Sequence, residues 1–180
     1  GRAGFRPDRA VEVYTQILKR LYPHVPVVVG GIEASLRRLA HYDYWSDALR
    51  PSILATSGAD LLMYGMGEKV VGEVVRAFSN GYNAKLLRRL KQVAFLADRA
   101  YVERLDPADT IRLNSYERCT EDKRAFGANF VEEETLSNLL EPRATLVEPT
   151  GDRYVVVTPP HAVPTTEELD RAFDLPYERA

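Results

Sequence analysis

Seven consecutive positions hold the side chains of this sequence that are best suited to chemistry. They are one histidine, two acids, three aromatic residues and a serine, and the aromatic residues include the one tryptophan of the chain. Such a segment needs an ordering partner, since it is too charged for a core strand and too aromatic for a solvated loop. The positions that matter are His41, Tyr42, Asp43, Tyr44, Trp45 and Asp47.

This segment permits three kinds of chemistry. His41 beside Asp43 or Asp47 has the composition of a general base with an orienting acid. His41 is also a candidate metal ligand, although no second His or Cys stands at ligand spacing. An ordered interface is the interpretation we favour, because amphipathic aromatic rings anchor buried contacts. Arg37 and Arg38 just before it suit either a phosphate or pairing with Asp43 or Asp47, and the mixed charges favour pairing.

Two glycine-rich turns form a second candidate site. A glycine turn lets the backbone approach a ligand, and the helix that follows offers free N–H groups to an anion. Neither turn matches the dinucleotide fingerprint or the P-loop, so neither NAD nor ATP is inferred. Each turn is open to a purely structural role, and Glu33 and Glu68 suit the positive end of a helix dipole. The predicted sheet-edge site comprises Gly30, Gly31, Gly65, Gly67 and Glu68.

The elements around these turns predict a doubly wound α/β fold. A helix opens at Pro7, and the apolar runs 25–29 and 61–64 read as strands of a parallel sheet buried on both faces. Helices follow each turn, over 32–40 and 69–78. Loops at the carboxyl ends of such strands are where this fold binds ligands. We therefore predict a Rossmann-like unit over residues 1–83, lacking its N-terminal strands.

Residues 84–180 predict an α+β extension. A strand is expected over 92–96 and one charged helix from about 114 to 137, with Tyr116, Cys119, Lys123, Phe126 and Phe130 on one face. Residues 145–148 and 153–158 flank a turn typical of a hairpin, and Thr165 or Thr166 should cap a last helix that ends near Phe173.

The composition is that of an ordinary globular chain. Charged residues make up 28% of 180 residues and the net charge is −2, so no overall basic surface indicates nucleic acid. The basic stretch Lys85, Arg88, Arg89 and Lys91 suits a solvated helix face, with RNA contact as the alternative. No apolar run is long enough to span a bilayer. The single Cys119 fits a reducing, cytoplasmic compartment, and we interpret it as a core residue rather than a nucleophile.

With these residues considered, the chain resembles the YgiQ-type radical-SAM proteins. The matching runs are RPDRAVEVY (6–14), PVVVGGIEASLRRLAHYDYWSDALRPSIL (26–54), ADLLMYGMGEK (59–69) and RYVVVTPPHAVPTTEELDRAFDLPYERA (153–180). Residues 84–150 match only loosely. The resemblance implies an N-terminal α/β domain similar to a cobalamin-binding domain, followed after Ala180 by a radical-SAM barrel as its intramolecular partner.

The resemblance also implies cofactors in the parent protein. A radical-SAM core binds a [4Fe–4S] cluster through a CxxxCxxC motif, and the cluster binds S-adenosylmethionine. This chain has one cysteine and no such motif, so no cluster is expected within it and none of its residues is expected to be catalytic. Cobalamin is disfavoured as well, because none of His24, His41 and His161 stands in a DxHxxG context.

Three hypotheses follow for the function. The first is an accessory region, cut from a longer protein, that helps to close or select at the active site of a radical-SAM enzyme whose substrate we cannot assign. The second is a nucleotide- or small-molecule-binding module without chemistry. The third is a structural docking domain. The absence of an initiator Met at Gly1 and the charged residues 177–180 led us to expect an excised piece.

Overall fold

The computed structural model describes residues 4–5, 7–176 and 178. The predicted onward connection at 177–180 lies outside these residues, apart from Glu178. The first half of the described chain contains α1 (Ala10–Leu21), β1 (Val28–Val29), α2 (Gly31–Leu36), β2 (His41–Asp43), β3 (Ala48–Arg50), α3 (Ile53–Ser57), β4 (Leu61–Met63) and α4 (Glu68–Ser79).

The second half begins with a 3₁₀ turn at Leu86–Arg89 and has another at Pro107–Asp109. Its other elements are β5 (Val93–Ala97), α5 (Arg99–Val102), β6 (Thr110–Arg112), α6 (Tyr116–Glu121), α7 (Lys123–Ser137), β7 (Thr145–Thr150), β8 (Arg153–Val157) and α8 (Thr166–Phe173).

Six of the strands form one sheet in the order β1-β4-β5-β8-β7-β6, and β2 and β3 form a separate hairpin. β1 and β4 are parallel, with Val28 opposite Leu61. β6 and β7 are also parallel, whereas β4–β5, β5–β8 and β7–β8 are antiparallel. The predicted Rossmann-like α/β fold is confirmed, with a mixed sheet because the strands of the C-terminal extension join the parallel β1–β4 pair. The boundary at residues 83 and 84 stays a prediction.

Helices cover both faces of this sheet. One face, which includes Val29, Leu62 and Val155, packs beneath Ile53 and Leu54 of α3. The opposite face, which includes Leu61, Phe95 and Val156, packs against Val70 and Val74 of α4. The side chains of Leu54, Leu61, Leu62, Val70 and Phe95 are fully buried. Each fully buried side chain of this kind contributes about 1.5–3 kcal/mol, so these two cores fix the ends of β1 and β4.

Several elements of the first half are shorter in the structure than predicted. The first helix begins at Ala10 rather than Pro7, and α2 ends at Leu36 rather than Ala40. The strand predicted over 25–29 is reduced to Val28–Val29. Pro26 lacks an N–H, and the N–H of Val27 donates to the Asp60 side chain at 2.8 Å, so the chain is not yet in the ladder there. The hairpin β2–β3 and the helix α3 were not predicted.

The single helix predicted over 114–137 was wrong, because the chain breaks at Asp122. This residue ends α6 and its side chain accepts a hydrogen bond from the Arg124 N–H at 2.9 Å, which caps α7. The predicted common face is therefore split, and the Phe130 side chain is 55% exposed. Ala125 and Asn129 are the buried residues of α7 instead.

The basic stretch 85–91 is also not a uniformly solvated helix face. The Arg88 guanidinium stacks 5.0 Å from the centroid of the Phe95 ring and 5.8 Å from that of Tyr101. It donates to the Leu96 carbonyl at 2.9 Å, and its burial lowers its pKa. Arg88 is thus committed to the protein itself, and RNA contact by the rest of this stretch stays an untested alternative.

The end of the chain follows its sequence signals closely. β7 and β8 form the predicted hairpin around Gly151, which has φ 59°. The Thr165 side chain accepts from the Glu168 N–H while the Glu168 carboxylate accepts from the Thr165 N–H, which is a complete capping box at the start of α8. α8 ends at Phe173, as predicted.

Candidate functional site

Both glycine turns lie at the same edge of the sheet. β1 and β4 are parallel neighbours, so Gly30–Gly31 and Gly65–Gly67 follow adjacent strand ends. Gly31 has φ 81° and Gly65 has φ 68°, backbone conformations that side chains rarely adopt. The Gly65 N–H donates to Ser35 Oγ at 3.2 Å, which ties the second turn to α2. The structure therefore brings the two predicted turns together.

Gln92 holds the second turn in place. Its side-chain amide donates to the carbonyls of Tyr64, at 2.7 Å, and Met66. Its side-chain oxygen accepts from the His161 N–H at 3.2 Å, and its own N–H donates to the Pro159 carbonyl at 2.8 Å. The residue is 5% exposed and has φ 63°, a left-handed conformation for a non-glycine residue. Nothing in the sequence signals this role, because the bonds join segments far apart in the chain.

A cleft of about 900 Å³ opens beside this turn. Gly65, Gly67 and Glu68 line it, whereas Gly30 and Gly31 do not. Its other walls come from α4, α8 and the segments 137–142 and 160–164, and they are largely apolar. This volume is in the range of small-molecule sites. Of the two predicted turns, the turn at 65–68 thus lines a cavity and the turn at 30–31 does not.

A histidine–glutamate pair lies at the cleft. His161 Nε2 lies 3.2 Å from Glu73 Oε2, and the two side chains are 13% and 24% exposed. A carboxylate at this distance fixes the ring orientation and leaves the other ring nitrogen for a second partner. No local pattern predicts this pair, because its members are 88 positions apart.

The 41–47 segment forms the hairpin β2–β3 and is anchored through Asp43. The Asp43 carboxylate accepts from Ser46 Oγ and from the Arg9 guanidinium, each at 2.6 Å. Ser46 and then Arg9 lower the pKa of Asp43 to about 2. At the tip, the Tyr42 hydroxyl donates to Asp47 at 2.6 Å. Both acids are thus committed within the segment or to α1.

The aromatic side chains of this hairpin point outward. Tyr42, Tyr44 and Trp45 are 57%, 68% and 71% exposed. The Tyr44 and Trp45 rings lie 4.7 Å apart between centroids and are tilted by 30°. Three exposed rings on an anchored hairpin form an apolar surface, and such surfaces are typical of contact sites. We name Tyr42, Tyr44 and Trp45 the aromatic hairpin surface.

The general-base arrangement for His41 is not assembled. Asp43 binds Ser46 and Arg9, and Asp47 binds Tyr42, so neither acid orients the imidazole. His41 Nδ1 lies 3.2 Å from the Leu39 carbonyl instead. Burial lowers the pKa of His41, against the smaller effect of the Leu39 carbonyl. The interface interpretation of this segment stays a prediction.

Arg37 and Arg38 are paired, but not with the predicted acids. Arg37 binds Glu33 at 3.2 Å, one helical turn earlier. Arg38 binds Glu133 of α7, and its guanidinium stacks 5.2 Å from the centroid of the Tyr64 ring. Pairing of both arginines is therefore observed, but the choice of Asp43 or Asp47 as partner was wrong. Arg38 thus connects the end of α2 with α7, whereas the Arg37 pair lies within one helical turn.

The described residues do not fit an iron–sulfur cluster. The chain has one cysteine, and Cys119 is 3% exposed in α6. Its Sγ accepts from Asn129 Nδ2 at 3.3 Å, and burial raises its pKa to about 11, so the thiol stays protonated at neutral pH. Among described residues, no group of three His, Cys, Asp or Glu side chains is placed to hold a metal. The turns at 30–31 and 65–67 contain no histidine that could serve as an axial ligand of cobalamin.

No helix within the described part of the chain has the length and apolarity needed to cross a membrane.

Comparison with known proteins identifies the family of the chain. The family model described as Radical SAM N-terminal matches residues 1–180, so the chain belongs to that family. No solved structure matches the chain.

Relatives from several bacteria match nearly the whole chain. A UPF0313 protein of Porphyromonas gingivalis is 47% identical over 179 residues, which are 99% of this chain and 28% of that protein. The UPF0313 proteins of Bacteroides thetaiotaomicron and Thermotoga neapolitana are 45% and 41% identical, each across 99% of this chain and 30% of the relative. UPF0313 is the YgiQ-type radical-SAM family. The chain thus spans less than a third of the length of these relatives.

Proposed function

We propose that this chain is an accessory region of a radical-SAM iron–sulfur enzyme of unassigned substrate, and that it helps to close the active site or to select what enters it. Membership of the Radical SAM N-terminal family supports the class of enzyme. The cluster and S-adenosylmethionine would be bound by the part of the enzyme outside residues 1–180, because this chain has a single cysteine. The residues of this chain then contribute shape, contacts and exclusion of water.

The aromatic hairpin surface is the observation that carries the proposal. Its rings are more than half exposed, yet the hairpin beneath them is fixed at several points. Asp43 binds Arg9, and the Tyr116 hydroxyl donates to the Leu49 carbonyl at 3.3 Å. The Ala40 N–H, just before β2, donates to the buried Glu148 carboxyl at 3.0 Å. Rigid, amphipathic rings that are held outward bind a partner surface with little loss of entropy.

The proposed partner of this surface is the radical-SAM barrel of the same polypeptide. The full set assigned to the interface is Arg37, Arg38, His41, Tyr42, Asp43, Tyr44, Trp45 and Asp47. Asp43 and Asp47 fix the hairpin, and the rings make the contact. The turn Gly65–Glu68 and its cleft would open toward the substrate side. Closing such a surface over a reaction excludes water from reactive intermediates.

The activity is tested on the full-length polypeptide. It should be purified without oxygen, reconstituted with iron and sulfide, and given S-adenosylmethionine and dithionite. We expect 5′-deoxyadenosine and one [4Fe–4S] cluster by electron paramagnetic resonance. A protein with no cluster and no cleavage of S-adenosylmethionine would refute the enzyme class and leave a binding or docking module.

The accessory role predicts a specific effect of Trp45→Ala. In the reconstituted full-length protein we expect the rate of 5′-deoxyadenosine formation to change by roughly tenfold or more, because a hot-spot aromatic contributes about 2 kcal/mol or more to an interface. The thermal midpoint of the full-length protein should fall by a few degrees as well, because the Trp45 ring, which is 71% exposed within residues 1–180, would be buried against the barrel. Turnover and melting are measured on the same preparation.

Phe130→Ala is the matched control, because Phe130 is an exposed aromatic residue of α7 and not part of the hairpin. It should leave turnover unchanged. Wild-type turnover in Trp45→Ala would show that the aromatic hairpin surface does not belong to the active-site face.

The cleft favours a second candidate function, the binding of a nucleotide-sized ligand. Its volume of about 900 Å³ and its largely apolar walls suit the body of such a ligand. α4 begins at the cleft and its N-terminus has no side-chain cap, so its first N–H groups are available to a phosphate. This function predicts binding without any cleavage of S-adenosylmethionine.

Filling the cleft tests the second function. Gly72 lines the cleft within α4, and a Cβ there would meet only the guanidinium of Arg76, at 3.5 Å. We expect Gly72→Leu to weaken AMP binding to the full-length protein by roughly tenfold or more, measured by calorimetry. Gly127→Leu, in α7 and with open space around it, is the control that should leave binding unchanged. No AMP binding by the wild type would reject a nucleotide in this cleft.

A further inference from the structure

The strand β1 forms one edge of the six-stranded sheet, and no strand among the described residues pairs with its other side. Val27 points both of its backbone groups toward β4: its carbonyl accepts from the Asp60 N–H at 2.9 Å, and its N–H donates to the Asp60 carboxylate. Successive residues of a strand point their backbone groups to opposite sides. The N–H and carbonyl of Val28 therefore face away from β4, toward the free edge.

This edge lacks the usual protection of an exposed strand. Edge strands are commonly blunted by charged side chains or bulges. β1 instead has only valine in its ladder, and Val29 is 7% exposed. Parallel strands composed of apolar residues alone are characteristic of sheet interiors rather than edges. β1 has the composition of an internal strand in an edge position.

The helix α1 overhangs the same free edge with an apolar flank. One of its flanks contacts α3, where the Gln16 amide donates to the Thr56 carbonyl at 2.9 Å. α3 packs inward against β5, so the other flank of α1 faces beyond β1. That flank presents Tyr14, Leu18 and Leu21, which are 50%, 43% and 61% exposed. Their spacing places them in one row along the helix.

The order of the elements along the chain indicates which strand should lie beside this edge. The connection from β1 to the parallel strand β4 crosses one face of the sheet through α3, and α1 lies on that same face. Crossovers between parallel strands are right-handed almost without exception. The same rule applies to a crossover that passes through α1 and leads into β1. Such a crossover must start from a strand on the side of β1 opposite to β4. That position is the free edge.

We propose that in the longer protein a strand from residues that precede α1, outside 1–180, pairs in parallel with Val28 of β1 and packs beneath the Tyr14–Leu18–Leu21 flank. The curated relatives are longer than this chain, since more than two thirds of their length lies outside the matched region. β1 is then the second strand of the sheet, and the glycine turn 30–31 lies between two strands instead of at a rim. This inference is independent of the proposed enzymatic function.

Hydrogen exchange at single-residue resolution tests the pairing in the full-length polypeptide. We expect the Val28 amide to exchange at least about 100-fold more slowly than a free amide, as does Val29, at every protein concentration. Exchange of Val28 at the rate of a free amide would overturn the proposal. Protection that is lost on dilution would also overturn it, because a second copy of the chain would then be the occupant.

A substitution on the flank gives an independent readout. Leu18→Lys in the full-length protein should lower the thermal midpoint by about 5 °C or more, because a buried lysine there has no partner. Leu18→Met keeps the site apolar and should melt within about 2 °C of the wild type. Equal midpoints for the two variants would show that the flank is solvated and would overturn the packing part of the proposal.

Discussion

Glu148→Gln is expected to remove a large pH dependence of stability. Glu148 lies on β7 with 1% of its surface exposed, beneath the segment that leads into the hairpin. Its two carboxyl oxygens are 3.0 and 3.1 Å from the N–H of Ala40, the one donor that holds them. Burial raises the pKa of Glu148 from 4.5 to about 8, against the opposing effect of Ala40. The folded protein therefore favours the neutral acid.

The direction of the effect follows from linkage. The pKa of the unfolded chain is near 4.5, so below that pH the group is neutral in both states and the contribution to stability is fully present. As pH rises from 4.5 through about 8, the unfolded chain ionises first and stability falls. The loss is about 1.4 kcal/mol per pH unit and reaches at most about 5 kcal/mol above pH 8. Glutamine cannot ionise, so the variant lacks this slope.

The measurement compares slopes rather than absolute stabilities, because a glutamine amide introduces a donor of its own. Opening free energies of the β7 and β8 amides are obtained from hydrogen exchange of the full-length protein between pH 5 and 9, corrected for intrinsic rates. The difference between Glu148→Gln and the wild type should grow steadily up to about pH 8 and then level off. Glu132→Gln, at an exposed position of α7, should give a flat difference. A flat difference for Glu148→Gln as well would mean that the carboxyl is solvated or ionised in the folded state.

The parts of the fold that local patterns determine were predictable. The apolar runs before Gly30 and Gly65 predicted two adjacent strands, and the turn spacing placed α4 within one residue of its observed limits. The capping box at Thr165 and the hairpin around Gly151 also depend on residues that are close in sequence. In each case the stabilising hydrogen bonds are short-range, so the sequence displays both partners.

Other features depend on partners that sequence order does not reveal. Asp43 was expected to bind Arg37 or Arg38, but Arg9 of the preceding segment takes it. Arg38 binds Glu133, which is 95 positions away. The helix predicted over 114–137 breaks because Asp122 caps a new helix, a choice that the hydrophobic period alone does not show. These errors share one cause, which is competition between alternative polar partners.

The candidate site was predictable only in part, for the same reason. Glycine patterns located both turns at one edge, since parallel strands fix that relation. The cleft beside Gly65 needs walls from α8 and from the segment after α7, whose positions follow from long-range packing. Likewise His161 and Glu73 meet only because β8 returns beside β5. The ligand-binding role of Gly30, Gly31, Gly65, Gly67 and Glu68 stays a prediction.

Gln92 provides the second prediction with a large effect, since it has a left-handed backbone conformation and hydrogen-bonds two separate backbone segments, 64–66 and 159–161. Removing its amide leaves the part-buried carbonyl of Tyr64 and N–H of His161 without these partners. We expect Gln92→Ala to lower the unfolding free energy by about 2–4 kcal/mol, because each buried group left unsatisfied costs about 1–3 kcal/mol. Alanine would also keep the left-handed strain implied by φ 63°.

Gln92→Gly separates the strain from the hydrogen bonds. Glycine loses the same bonds but adopts this φ freely, which offsets about 1 kcal/mol of the loss. The glycine variant should thus be the more stable of the two, by opening free energies of the β5 amides measured by hydrogen exchange of the full-length protein. The neighbouring, exposed Lys91 lacks a positive φ, so Lys91→Ala should be at least as stable as Lys91→Gly. If the alanine variant is more stable than the glycine variant at both positions 91 and 92, Gln92 carries no backbone strain. The turn at 64–66 would then depend only on the hydrogen bonds of the Gln92 side chain.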